Sequence, residues 1–106
     1  MCIRDRPQTQ ATIFQRNLTF GDHPQQAIER PRWLLGRTWG NSSDSLKLES
    51  RFAPETVAGL RELGHDVETI GVWDEAVGHA GMLIRHPNGV MEGGYDPRSN
   101  GAAVAF

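Results

Sequence analysis

Two arginines stand out in the 106-residue chain, because each follows a proline beside a stretch expected to be buried: Arg32 in Pro31-Arg32-Trp33 and Arg98 in Asp96-Pro97-Arg98. A guanidinium in such a place needs a carboxylate partner, since a lone buried charge is expensive. Arg32, Asp96 and Arg98 are therefore the candidates for structural ion pairs, weighed against the plainer reading of surface arginines after turns. The other reactive residue types do not converge. His23, His65, His79 and His86 include no helical pair four apart, and no cysteine lies near them, so they read as turn, cap and strand residues and no metal site is expected. Glu62 with Asp66, and Asp74 with Glu75, could act as acid and base. They sit at a helix exit and beside turn signals, which makes them solvated surface. Ser42, Ser43 and Ser45 lack the surroundings of a nucleophile elbow. Gly93-Gly94 follows a strand pattern without a phosphate-binding helix after it. Trp33 and Trp39 read as buried strand residues rather than the lining of a ligand groove. The residues alone show no catalytic constellation and call for no cofactor.

The elements that must hold these residues follow from periodicity and punctuation. Gln8 to Phe20 reads as a helix with Ala11, Phe14 and Leu18 on one face, Pro7 at its first position and Gly21 as its stop. Pro24 to Glu29 is a second, short helix with Ala27 and Ile28 inward, ended by Pro31. Trp33 to Trp39 is a strand, Asn41 to Ser45 a loop, and Leu46-Lys47-Leu48-Glu49 alternates as a half-buried strand should. A third helix starts at Pro54, carries Val57, Leu60 and Leu63 on one side and closes at Gly64. Val67 to Val72 is a strand, with Val67 and Thr69 on one face and Ile70 and Val72 on the other. A hairpin follows, with Ala80, Met82 and Ile84 facing one way and His79, Leu83 and Arg85 the other. Its turn is Asn88-Gly89 in the type I′ form, and Val90 to Gly94 returns. Turns at Asp96–Ser99 and Asn100-Gly101 lead to a short apolar tail. The class is α/β (α+β) with a C-terminal antiparallel hairpin.

Composition narrows the function classes. A length of 106 residues allows one domain at most, 38% hydrophobic and 23% charged residues are ordinary for a globular domain, and the formal net charge is −2. Such a balance gives no pull toward nucleic acid or an anionic membrane, and no apolar run approaches a membrane span. One cysteine, Cys2, rules out an internal disulfide.

The order of short motifs is more specific than any one of them. Ala27 to Trp33, Leu46 to Glu49, Leu60 to Val67, Gly78-His79-Ala80, Gly93 to Ser99 and Gly101-Ala102-Ala103 succeed one another with the spacing of one family. From about Pro7 to Phe106 the chain resembles the C-terminal end of the small subunit of γ-glutamyltransferases and their acylase-like relatives. The resemblance implies part of an N-terminal-nucleophile hydrolase sandwich, two β-sheets between helical layers. It implies a precursor that cleaves itself, and a new N-terminal threonine that attacks a γ-glutamyl or other acyl amide with its own α-amine as base and passes the acyl group to water or to an amine acceptor. It also implies a Gly-Gly pair whose backbone N–H groups receive the oxyanion just before the first helix. Threonine and glycine pair are both expected upstream of Pro7, and Thr9 and Thr12 lie inside the helix, so the catalytic residues assigned to this chain are none. Arg32, Asp96 and Arg98 carry over as scaffold. The partners so implied are the rest of the precursor and a small acyl-amide substrate.

The stretch Trp33-Leu34-Leu35-Gly36 replaces the Phe-His-His type of sequence seen in glutathione-cleaving members, which weakens the case for glutathione as the substrate, and a β-lactam or other acyl-amide acylase is the alternative. A non-catalytic stand-alone module is the third reading. Residues 1–6 fit nothing in the family pattern and are expected to be a translated artefact, with residues 7–106 the enzyme fragment, inactive by itself.

Overall fold

The structure is a computed structural model that describes residues 7–36 and 44–104. The chain forms two compact units: one runs to Arg30 and resumes at Gly78, and the other is Pro31–Val77.

The first unit holds helices α1 (Pro7–Leu18) and α2 (Pro24–Glu29) and strands β4 (Gly81–Arg85) and β5 (Met91–Tyr95). Its core is Ile13 from α1 with Ala27 and Ile28 from α2, against which Ala80 and Met82 pack. The inward face of α1 is therefore Thr9 and Ile13, one turn apart. This corrects the expected stripe: Phe14 and Leu18 are 62% and 65% exposed, and Ala11 is exposed too. The helix carries apolar residues on two faces, and periodicity alone cannot say which face meets the core. Gly21, at φ 75°, lets the Asp22 N–H donate to Arg16 O at 2.9 Å and closes the helix end. In α2, Pro24 occupies the first turn, where no N–H is needed, and Ala27 and Ile28 are fully buried.

β4 and β5 pair antiparallel, from Gly81 with Tyr95 to Arg85 with Met91. Met82 and Ile84 are half-buried on one face, while Leu83 and Arg85 are exposed on the other. The turn differs from the type I′ expectation. Gly89 has φ 86°, but Asn88 does not adopt positive φ. The Gly89 N–H donates to His86 O at 2.9 Å, so the turn is His86–Gly89 with Pro87 as its second residue. Pro87 fixes the φ that this position requires and pulls the turn one residue earlier.

The second unit holds β1 (Trp33–Leu35), β2 (Leu46–Glu49), α3 (Pro54–Glu62) and β3 (Val67–Ile70), with a 3-10 turn at Glu75–Val77. β2 is central, antiparallel to β1 and parallel to β3. The parallel pairing requires a crossover, which α3 supplies. β1 ends at Leu35, with Gly36 at φ 92°, and Trp39 of the expected longer strand lies outside the described residues. β2 is not half-buried as expected: all four of its residues are buried, Lys47 and Glu49 included. Both charges are hydrogen-bonded, which is what permits their burial. β3 stops at Ile70, and exposed Val72 lies beyond it in a turn. α3 buries no residue; Val57 and Leu60 are half-covered and Leu63 is 78% exposed.

Candidate functional site

The turn after β5 places Asp96 and Arg98 together with no side-chain exposure, Arg98 Nη1 lying 3.0 Å from Asp96 Oδ1. The same carboxylate oxygen accepts the Arg98 backbone N–H at 3.0 Å, and Oδ2 accepts the Ala80 N–H at 2.9 Å. The guanidinium then reaches the C-terminal end of α2, donating to Ile28 O at 3.0 Å and to Arg30 O at 3.3 Å. Arg16, from the last turn of α1, approaches the same end and donates to Ala27 O at 3.2 Å and Arg30 O at 3.4 Å. The last carbonyls of a helix have no partner within it, and here two arginines from distant parts of the sequence supply them. The chemistry of this cluster is fastening: it ties the final turn, the start of β4, α2 and α1 to one another.

A second fastening lies beside it. The Gln25 amide donates to Tyr95 O and accepts the Tyr95 N–H, both at 2.9 Å, so it acts as an extra rung on the edge of β5. Gly94 allows this approach, because a Cβ there would stand 2.8 Å from the Gln25 nitrogen and 3.0 Å from the Pro24 carbonyl carbon. At the edge of this unit, half-exposed Arg30 and buried Asp22 form a bidentate pair at 2.5 and 2.9 Å. The hydrogen bond and charge of Asp22 raise the Arg30 guanidinium above its ordinary value.

Arg32 belongs to the second unit. It is buried, and its backbone N–H donates to Glu49 Oε2 at 2.8 Å. Glu49 also accepts the Asp74 N–H at 3.2 Å and Arg51 Nη2 at 3.1 Å. Arg51 in turn stacks on Trp73, 3.6 Å from the ring centroid. On the same strand Lys47 Nζ donates to Gly36 O at 2.8 Å, and just before it Ser45 Oγ donates to Glu68 Oε2 at 2.8 Å. The three residues singled out from sequence thus fall in two places: Asp96 and Arg98 meet, and Arg32 stands in the other unit.

Of the histidines, His86 and His23 lie 2.8 and 3.5 Å from the two oxygens of Glu92. Among the described residues no group of three His, Cys, Asp or Glu side chains is placed to hold a metal ion. Thr9 is buried, and the Thr12 hydroxyl donates to Gln8 O at 2.7 Å. Sequence reasoning missed Arg16, Gln25, Lys47 and Glu49. Only Gly94 left a usable signal, as a glycine inside a strand pattern marks a close backbone approach.

A family model described as gamma-glutamyltranspeptidase matches residues 4–106. The chain belongs to the gamma-glutamyltranspeptidase family. It is similar to the oxamate amidohydrolase proenzyme of Klebsiella pneumoniae subsp. pneumoniae, 63% identical over 101 residues. It is also similar to the glutathione hydrolase-like YwrD proenzyme of Bacillus subtilis, 46% identical over 101 residues. Each match covers 95% of this chain, and the chain spans 19% of the length of each of these relatives. Among solved structures it is similar to the cephalosporin acylase from Bacillus halodurans, with a TM-score of 0.81 at 27% identity over 94% of this chain and 18% of that one. The fold is that of the N-terminal-nucleophile hydrolases. The Gly93–Ser99 signature now has physical content: Gly94 admits α2, Tyr95 takes the Gln25 rung, and Asp96 and Arg98 make the buried pair.

Proposed function

We propose that the full protein is a self-processing amidohydrolase whose substrate is a small acyl amide of the oxamate type, and that this chain is scaffold of its small subunit. The observation that carries this reading is the 63% identity to an oxamate amidohydrolase proenzyme, against 46% to a glutathione hydrolase-like one. In the reaction, the hydroxyl of the processed N-terminal threonine adds to the amide carbonyl while its α-amine takes the proton. Backbone N–H groups meet the oxyanion, the amine returns the proton to departing ammonia, and water hydrolyses the resulting ester. Threonine and oxyanion donors are assigned upstream of Pro7. Arg32, Asp96 and Arg98 are structural, and the chain alone is inactive.

Exposed apolar residues support a partner in the rest of the precursor. Phe14, Leu18, Phe20, Leu63 and Leu83 all lie open, and two-stranded and three-stranded sheets leave edges unpaired among the described residues. That surface disfavours a stand-alone binding module. The cephalosporin acylase likeness supports a second reading, in which the acyl group is larger.

The test uses the full-length protein. Self-cleavage is followed by gel electrophoresis, and ammonia release from oxamate is compared with glutamate release from glutathione and side-chain release from a cephalosporin. Ammonia from oxamate in a cleaved enzyme is the expected result. Side-chain release alone moves the assignment to the acylase reading. An uncleaved protein inert toward all three ends the enzyme reading.

A further inference from the structure

Asn88 and Gly89 form the exposed tip of the β4–β5 hairpin. Asn88 Oδ1 accepts the Val90 N–H at 3.0 Å, which swings the side-chain amide toward the peptide that follows it and polarises its carbonyl. Gly89 has no Cβ to shield its nitrogen, and nothing lies within 4 Å of the place a Cβ would take. Its φ of 86° is one that glycine adopts without strain. One bond opposes reaction: the Gly89 N–H donates to His86 O at 2.9 Å, in a turn whose second residue is Pro87.

We infer that Asn88 is a site of spontaneous covalent modification, at which the Gly89 nitrogen closes on the side-chain amide. The nitrogen gives up its proton and bonds to Asn88 Cγ, the Cγ–Nδ2 bond breaks, and Nδ2 leaves as ammonia with that proton. The product is a cyclic succinimide. Water opens it at Cγ to give aspartate, or at the backbone carbonyl carbon to give isoaspartate, whose main chain runs through Cγ. Water is the sole co-reactant. Aspartate keeps an oxygen for the Val90 N–H and adds a negative charge to the tip. Isoaspartate lengthens the main chain by one atom inside the turn, so the Gly89–His86 bond no longer fits. The second such pair, Asn100-Gly101, is the internal comparison: Asn100 is exposed too, but Gly101 is wedged against the Tyr95 ring with no room for a Cβ, which restrains its nitrogen from approaching the amide.

The experiment incubates the full-length protein at mildly alkaline pH, folded and in urea, and digests it with trypsin beside an unincubated sample. Cleavage after Arg85 and Arg98 puts Asn88 in the peptide 86–98 and Asn100 in the next one. In the folded protein the peptide 86–98 should gain the mass difference between an amide and an acid, accept methyl groups from an isoaspartyl methyltransferase, and convert ahead of the Asn100 peptide. In urea the two should convert at similar rates, since each is an asparagine followed by glycine. Pro87→Ala frees the φ that holds the turn and should speed conversion in the folded protein roughly two- to fivefold. Asn88→Gln, whose longer side chain closes a less favourable ring, should abolish the mass gain over the same period. A peptide 86–98 that stays unconverted in the folded protein overturns the inference, whatever happens in urea. Aspartate without isoaspartate overturns the cyclic route, and a folded protein in which Asn100 converts first overturns the part assigned to the Val90 N–H.

Discussion

Gln25 and Tyr95 stand 70 residues apart in the sequence and exchange two hydrogen bonds of 2.9 Å, side-chain amide to backbone peptide. The amide of α2 thereby completes the edge of β5 as a neighbouring strand would. Gln25→Ala leaves the Tyr95 N–H and C=O unpaired in a partly buried place, at a cost of about 1–3 kcal/mol. Denaturant unfolding of the full-length protein should show the loss, and faster amide exchange at Tyr95 should locate it. Wild-type exchange at Tyr95 in the variant would show that the rung contributes nothing.

The buried Asp96–Arg98 pair should be damaging when halved, because the remaining charge loses its partner. Asp96→Ala strands a buried guanidinium and should cost about 3–5 kcal/mol. Arg98→Met strands the carboxylate by the same logic. The double variant removes both charges and should lose clearly less than the sum of the two single losses. Melting temperatures of the four proteins check this; strict additivity would mean that the two side chains do not act together.

Two glycines should respond in opposite directions to an added methyl group. At Gly94 a Cβ would collide with the backbone of Pro24 and Gln25 at 2.8–3.0 Å, so Gly94→Ala should destabilise by about 1–3 kcal/mol. Gly59 lies inside α3 with nothing within 4 Å of a Cβ, and Gly59→Ala should stabilise by about 0.5–1 kcal/mol through a less disordered unfolded chain. Thermal melts of both variants decide it, and a stable Gly94→Ala would mean that α2 can retreat from β5.

Residues 7–106 expressed alone should bind an apolar dye and aggregate, since Phe14, Leu18 and Leu63 lie open. Phe14→Gln with Leu18→Gln should raise the yield of the dispersed chain without sharpening its unfolding. A monomer with a sharp two-state transition would contradict the reading of this surface as an interior face of a larger protein.

Where sequence legibility ended has physical reasons. α2, the hairpin and the 96–99 turn were readable because proline, glycine and alternation act locally. The inward face of α1 was not, because Ile13 and the Ala11, Phe14 and Leu18 stripe offer two apolar faces, and only the position of α2 selects between them. β2 was misread as half-buried because Lys47 and Glu49 look like solvent-facing residues until their partners, Gly36 O and the N–H groups of Arg32 and Asp74, come into place from elsewhere in the chain. Arg98 could be suspected from Pro97, but its two carbonyl partners on α2 follow from tertiary packing alone.

The first unit is interrupted: its helices end at Glu29 and its strands begin only at Gly81. A ribosome therefore delivers both helices well before the hairpin they need, and ends spaced 70 residues apart must find each other. Pro31–Val77 is continuous, with its crossover helix and three strands made in one run, so it can condense first. Once condensed it replaces a long slack tether by a short one and lowers the entropy lost on closure. Loosening β2 should slow the docking of α2 onto β5 as well as weaken the sheet.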